Sequence, residues 1–278
     1  MTLSVAWKRG SSIHFASDSR ISSGDKSSDY GIKVVPIPIK VFYPMNGKTG
    51  VTNIAFQKTY GMCFAGSFAG AYAVREFLFI ILQRLQFVPK WVEVSFVQIC
   101  KVVNKFYGHL AQKIKDDLNY DHSIDFFFAG YCPKDKKLKI AKFFIEHGEN
   151  FENYNPKYKV FPHNDFIESI GVGEDKFKEY LKDFEREINP DFRILKAIKK
   201  TVDEGGIESV GGNIQYGSFN IQKEFTTFGI EDQKYDEKGF LGVRYCIAGI
   251  NINGDEFEPK DAELHIMGSF IAPFKKPS

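Results

Sequence analysis

Thr2 stands second in the chain, and an aspartate follows within Ala16-Ser17-Asp18-Ser19-Arg20. A threonine hydroxyl is a weak nucleophile unless a base takes its proton. Methionine aminopeptidases remove an initiating methionine when the next residue is small, so loss of Met1 is expected to leave Thr2 with a free α-amine. Such an amine titrates at about pH 7.7–8.0, and at neutral pH a useful fraction is unprotonated and able to accept the hydroxyl proton. One residue then supplies both nucleophile and base.

The elements that must position these groups are readable from periodicity. Residues 3–15 alternate, with Leu3, Val5 and Trp7 before the polar Lys8-Arg9-Gly10-Ser11 and Ile13 and Phe15 after it. This is a hairpin signature. A two-residue turn at Arg9-Gly10 pairs residues whose numbers sum to about 19, which sets Thr2 opposite Ser17 and beside Asp18. The stretch 33–43 reads as a strand whose prolines, Pro36 and Pro38, suit an edge or a bulge. A further strand over 59–64 runs into Ala65-Gly66-Ser67.

Apolar residues at helical spacing predict helices over 71–87 and 95–118, and strands over 124–129 and 138–145 flank a turn-rich CPKDKK. Amphipathic helices are expected over 174–188 and 192–202, then strands over 213–221, 224–230, 241–250 and 262–271. Strands and helices come in blocks and do not alternate singly, which favours layered, largely antiparallel sheets with helices outside. The expected architecture is α+β, a four-layer αββα sandwich, in a single domain over 1–278.

The opening TLSVAWKRGSSIHFASDSR resembles that of proteasome β subunits and their bacterial homologues, which are N-terminal nucleophile hydrolases. The interval from Thr2 to Asp18 and the small-Asp-Ser-Arg motif both match. A lysine at the start of a strand comes next in the family pattern. Lys33 in DYGIKVVPIP has the matching spacing, while Lys40 in IKVFYP offers a similar local context. Phe64-Ala65-Gly66-Ser67 is similar to the family's Ala-Gly turn into the first helix, which assigns the oxyanion-binding N–H to Gly66. By this resemblance Thr2 Oγ attacks an amide carbonyl, the Thr2 amine shuttles the proton, Gly66 stabilises the oxyanion, and a Lys33 ammonium held by Asp18 tunes the site.

The likeness continues through DFFFAGYCPKDKKLKIAKF, through Ser169-Ile170-Gly171-Val172-Gly173 and through Glu208-Ser209-Val210-Gly211-Gly212. Two positions depart from the pattern. Val172 stands where the family turn supplies a serine, and Glu208 and Ser209 are substitutes for an aspartate and a serine without gap-free counterparts. The resemblance implies a threonine-type peptidase or amidase acting on peptides within a self-compartmentalising homo-oligomeric ring, with room for an ATPase partner. The alternative it leaves is an inactive structural or gating subunit of the same fold.

Composition narrows the remaining classes. Among 278 residues, 37 basic and 35 acidic side chains leave a net charge of +2, so there is no broad field to attract nucleic acid or an anionic membrane. Cys63, Cys100, Cys132 and Cys246 form no C-x-x-C pair and read as small buried hydrophobes. The histidines show no ligand spacing, so no metal is expected, and His14 is expected to face solvent on the first hairpin. Asn46-Gly47-Lys48-Thr49 and Gly171-x-Gly173 lack the further glycines of phosphate and dinucleotide loops, so no cofactor is expected. The N-terminus has no apolar signal core, and the protein is expected in the cytosol.

Overall fold

The first hairpin forms where the alternation places it, as β1 (Ser4–Arg9) and β2 (Ser12–Asp18). Its turn, however, is Gly10-Ser11. Gly10 has a φ of 58°, and two-residue hairpin loops that match strand twist need such a positive φ at the first central position. Glycine therefore moves into that slot, Arg9 pairs with Ser12, and Ser4 takes the place opposite Ser17 that the expected register gave to Thr2.

The computed structural model describes residues 2–23, 25–44, 53–88, 93–118, 123–147, 154–235, 241–252 and 268–274. After the hairpin come β3 (Ile21–Ser23), β4 (Lys26–Ser28), β5 (Val34–Phe42) and β6 (Ile54–Gly66), then α1 (Phe68–Ile81), β7 (Leu85–Gln86) and α2 (Phe96–Leu118). The chain continues with β8 (Ile124–Cys132), β9 (Lys137–His147), β10 (Tyr154–Val160), β11 (Phe166–Ile170), α3 (Glu174–Leu181) and α4 (Pro190–Glu204). It finishes with β12 (Ile214–Phe219), β13 (Phe225–Tyr235), β14 (Leu241–Ile247), β15 (Ile250–Asn251) and β16 (Phe270–Ile271).

Several boundaries differ from the periodicity. The first helix ends at Ile81, and Leu85–Gln86 leaves it to pair in parallel with Val41–Phe42. The expected helix over 174–188 is shorter, closing in a 3-10 turn at Lys182–Phe184. The periodicity reading does not include β10 and β11: β10 alternates Tyr154, Pro156, Tyr158 and Val160 with polar residues but carries a proline in its interior, and β11 is only five residues long. The expected strand over 262–271 falls largely outside the described residues, and its described part is β16.

Two large sheets dominate this mixed α/β chain. One runs β11-β1-β2-β12-β13-β14-β15, with β16 on β13, and the other runs β10-β9-β8-β6-β5-β7. Pro36 and Pro38 sit where β5 has a neighbour on one side alone. The N–H of Lys40, of the same parity, points away from β6 to the Leu82 carbonyl at 2.9 Å, so the prolines lack donors in a direction that needs none.

Alternating side chains divide the interior into three cores. Tyr60, Met62, Phe64, Phe126 and Phe128 pack with α1 and α2, while Cys63, Ala65, Phe127 and Ala129 meet Ala6, Ile13, Phe15 and Phe225 of the other sheet. On that sheet's opposite face, Leu3, Val5, Trp7 and Ala16 meet Leu195 and Ile198 of α4 and Phe177 of α3. Each fully buried Phe in these cores stabilises the fold by about 1.5–3 kcal/mol relative to exposure. Among the described residues no helix is long and apolar enough to cross a membrane.

His14 does not face solvent. It stacks on Trp7 with ring centroids 5.1 Å apart, and its Nδ1 lies 2.7 Å from the Tyr216 hydroxyl, under the helical layer. Burial holds its pKa below the usual histidine value, with Asp191 opposing and Arg9 reinforcing the shift. The folded state thus keeps the ring neutral, whereas the unfolded chain protonates near pH 6.5. His14 accordingly contributes stability that is full above about pH 6.5 and is lost as pH falls through the lower folded value. Urea midpoints measured between pH 7 and pH 5 should fall with acid, and His14→Phe should flatten that slope; an unchanged slope would place the acid sensitivity elsewhere.

Candidate active site

Asp18 closes β2 and is completely buried. A carboxylate in such a place needs its lone pairs filled. Oδ1 accepts from the Leu3 N–H at 2.9 Å and from Lys33 Nζ at 3.0 Å, and Oδ2 accepts from the Arg20 N–H at 3.1 Å and the Gly211 N–H at 3.2 Å. Lys33, 1% exposed, spends its other two N–H bonds on the Arg20 carbonyl and on Thr2 Oγ1. All three ammonium donors are used. Burial pushes the Lys33 ammonium below the usual lysine value, and the adjoining Asp18 charge and hydrogen bond work against that shift.

The neighbouring residues explain why the chain brings these groups together. Ser17 Oγ donates to the Leu3 carbonyl at 2.9 Å, fastening the segment that leads back to Thr2. Ser19 Oγ donates to the Asp29 carbonyl at 2.7 Å and accepts from the Asn213 N–H at 2.9 Å. Arg20 forms a two-pronged ion pair with Asp29, Nε to Oδ1 at 2.7 Å and the second nitrogen to Oδ2 at 3.1 Å. Every polar member of the Ser-Asp-Ser-Arg run thus ties down a connecting segment around the cluster.

Lys33 is positioned from its backbone as well. The Lys33 and Val34 N–H groups both donate to Gln215 Oε1, at 2.9 and 3.2 Å, and Gln215 Nε2 donates to the Gly31 carbonyl. Gln215 is buried within β12, and nothing in its local sequence marks it. Lys40, the other lysine of similar context, is half-buried in β5 opposite Gln57, away from the cluster.

The glycine turn between β11 and α3 wraps Thr2 and Leu3. Gly171 has a φ of 98°, and a Cβ there would stand 2.0 Å from the Thr2 carbonyl oxygen and 3.2 Å from Ala65 Cβ. Ala65 and its successor Gly66 end β6 on this side of the molecule, and Ser4 Oγ donates to the Phe64 carbonyl at 2.6 Å. Gly66 has a φ of 116°, and a Cβ would approach the Ser123 carbonyl oxygen to 2.8 Å, so the close strand packing by itself requires glycine. Ser67 then caps α1, accepting from the Gly70 N–H at 3.3 Å.

The late segment contributes differently from its sequence reading. Glu208 is exposed and Ser209 half-buried, and among the described residues neither side chain bonds to Thr2, Asp18 or Lys33. The Gly211 N–H reaches Asp18 instead, and the Glu208 carbonyl accepts from Arg20 at 3.3 Å. Val172 is 41% exposed and presents no polar atom to the cluster. Burial pushes the nearby Cys63 thiol up to about 12, which leaves it protonated at neutral pH. Among the described residues no group of His, Cys, Asp and Glu is arranged to hold a metal ion, and Asn46-Gly47-Lys48-Thr49 lies outside them.

No family model and no curated protein matches this chain. Solved structures do. A mutant of Anbu from Hyphomicrobium sp. strain MC1 superposes with a TM-score of 0.54 at 15% identity, over 92% of this chain and 90% of that one. Anbu from Yersinia bercovieri, described as an ancestral β-subunit, gives 0.52 at 15% identity, over 81% and 86%. The likeness is one of fold. At this identity it shows the fold alone and leaves catalytic status to the residues themselves.

Removing one partner of a buried, fully bonded ion pair costs about 3–5 kcal/mol, because the other charge is left without compensation. Asp18→Asn is therefore expected to lower the melting temperature by several degrees as well as to disturb the Thr2 hydroxyl. Calorimetry on the purified variant checks this, and an unchanged melting temperature would show that Lys33 is solvated or neutral in the folded state.

Proposed function

We propose that this chain is a threonine-type peptidase or amidase, a single-domain four-layer αββα hydrolase in which removal of Met1 exposes Thr2. The observation that carries the reading is the Lys33 ammonium bonded at once to Thr2 Oγ1 and to Asp18. A cation donating to that oxygen favours its negative form, and with three N–H groups already donating, Lys33 is no acceptor for the hydroxyl proton. The proton must go to another base, and the nearest covalently guaranteed one is the α-amine of the same residue.

In this mechanism the amine takes the Thr2 hydroxyl proton as Oγ1 adds to an amide carbonyl. The Gly66 N–H receives the oxyanion, and the protonated amine passes its proton to the leaving nitrogen as the C–N bond breaks. Water, deprotonated by the same amine, then cleaves the resulting ester and restores the hydroxyl. The proposal extends to a homo-oligomeric ring in the cytosol, since an unenclosed peptidase would attack surrounding proteins. Light scattering should then report many subunits per particle, and a clean monomer would count against enclosure.

A second reading, an inactive structural or gating subunit, is favoured by one observation: Val172 offers no hydroxyl to the Thr2 amine. The two readings separate at Thr2. Thr2→Ala keeps the amine and loses the nucleophile, so hydrolysis of fluorogenic peptides should vanish, while Thr2→Ser keeps both groups and should retain measurable turnover. Wild-type rate should rise with pH as the amine loses its proton, at about 7.7–8.0 for an unperturbed α-amine. Intact mass after treatment with an epoxyketone, which needs amine and hydroxyl on one residue, should show a single adduct. Activity that persists in Thr2→Ala would place the chemistry elsewhere, and absence of both adduct and turnover in the wild type would favour the structural subunit.

A further inference from the structure

The hairpin formed by β14 and β15 lies far along the chain from Thr2, yet its tip arrives at the braces of the reactive cluster. The tip is Ala248-Gly249, with both residues at positive φ, 49° and 83°. Positive φ at both central residues is what a two-residue hairpin loop between Ile247 and Ile250 demands, so the hairpin itself sets the shape of the tip. The Gly249 carbonyl accepts from Asn213 Nδ2 at 2.8 Å. A Cβ on Gly249 would stand 2.5 Å from Ser19 Cβ, 3.1 Å from Ser19 Oγ and 3.3 Å from Gln215 Nε2.

Those three residues brace the main chain that carries Asp18 and Lys33. Ser19 follows Asp18 directly and is pinned to Asn213 and to the Asp29 carbonyl. Gln215 holds the Lys33 and Val34 N–H groups and the Gly31 carbonyl. One tight turn therefore bears on both arms of the ion pair, the arm that carries the carboxylate and the arm that carries the ammonium, without touching Thr2.

We infer that the Ala248-Gly249 turn is a positioning element for the reactive cluster, acting through Ser19, Asn213 and Gln215 on Asp18 and Lys33. Its effect on catalysis rests on the hydrolase reading above, while its effect on the geometry of the cluster does not. Displacement of a reacting group by about 1 Å can cost up to about 10²-fold in rate, so a small shift transmitted from the turn is enough to matter.

Two substitutions test it from opposite sides of the contact. Gly249→Val forces a side chain into Ser19, and Asn213→Leu removes the amide donor to the turn while keeping a similar volume. The first readout is hydrogen exchange at the Leu3, Arg20, Lys33 and Gly211 amides, which donate to Asp18 and Gln215 and are observable whether or not the protein turns over substrate. Protection at these amides should fall in both variants while amides of α2, on the far side of the other sheet, keep theirs. The second readout is turnover of fluorogenic peptide, where kcat should fall about tenfold or more with KM little changed. If Gly249→Val fails to fold, Asn213→Leu carries both measurements. Unchanged protection at the four amides in a folded variant overturns the inference. A wild type without turnover or epoxyketone adduct would sink the hydrolase reading, and the amide readout would still decide whether the turn governs the cluster.

Discussion

A lysine ammonium and an aspartate carboxylate, both removed from water at the end of one strand and the start of another, impose the strictest constraint in this molecule. Neither charge is tolerable in that setting alone, and their attraction repays desolvation only when every remaining donor and acceptor is also engaged. That demand reaches outward. Asp18 needs backbone N–H groups from Leu3, Arg20 and Gly211, which fixes the chain just after Thr2, the exit from β2 and the entry to β12 relative to one another. Lys33 needs the Arg20 carbonyl and the Thr2 hydroxyl, which fixes the second sheet against the first. Satisfying one ion pair thus ties the neighbouring ends of β1, β2 and β12 to the start of β5, a strand of the other sheet with which they share no ladder.

The two glycine turns near Thr2 answer a different requirement, that backbone approach backbone without side chains between. Gly171 lies against the Thr2 carbonyl and Gly66 against Ser123 and Ile124. Because both have positive φ, the same residue type meets a conformational and a steric need at once. The N-terminal segment is thereby enclosed on one side by Gly171 and Ala65 and on the other by Asp18 and Lys33. Its hydroxyl oxygen is held against the Lys33 ammonium by these surroundings.

Much of this was legible in the residues. The alternation of Leu3, Val5 and Trp7 with Ile13 and Phe15 announces a hairpin, and a hairpin carries residue 18 back toward residue 2 in either register. Spacing favours Lys33 over Lys40 without deciding between them, and the Lys33 ammonium is the one that lies against Thr2 and Asp18. The exact register was not legible, since Arg9-Gly10 and Gly10-Ser11 are both acceptable turns until backbone twist chooses between them. Gln215, Asn213 and Asp29 were invisible for a simpler reason. Each works through a partner distant in sequence, and a lone Gln or Asn in a polar stretch carries no periodic signature. Glu208 and Ser209 drew attention as polar residues, whereas the contribution of their segment comes from a main-chain N–H, a group every residue but proline possesses.

The prolines of β5 have a consequence for the molecule as a whole. An exposed strand edge is a template on which another extended chain can continue the sheet, and such continuation leads from discrete molecules to fibres or aggregates. Along β5 the ring nitrogens of Pro36 and Pro38 present no hydrogen to an incoming strand, and the N–H of Lys40 is already taken by Leu82. At the opposite margin of the same sheet, β10 carries Pro156, whose ring is pressed against Gly108 of α2. Both borders of this sheet are therefore poor at recruiting strangers during synthesis, when many unfinished copies crowd together.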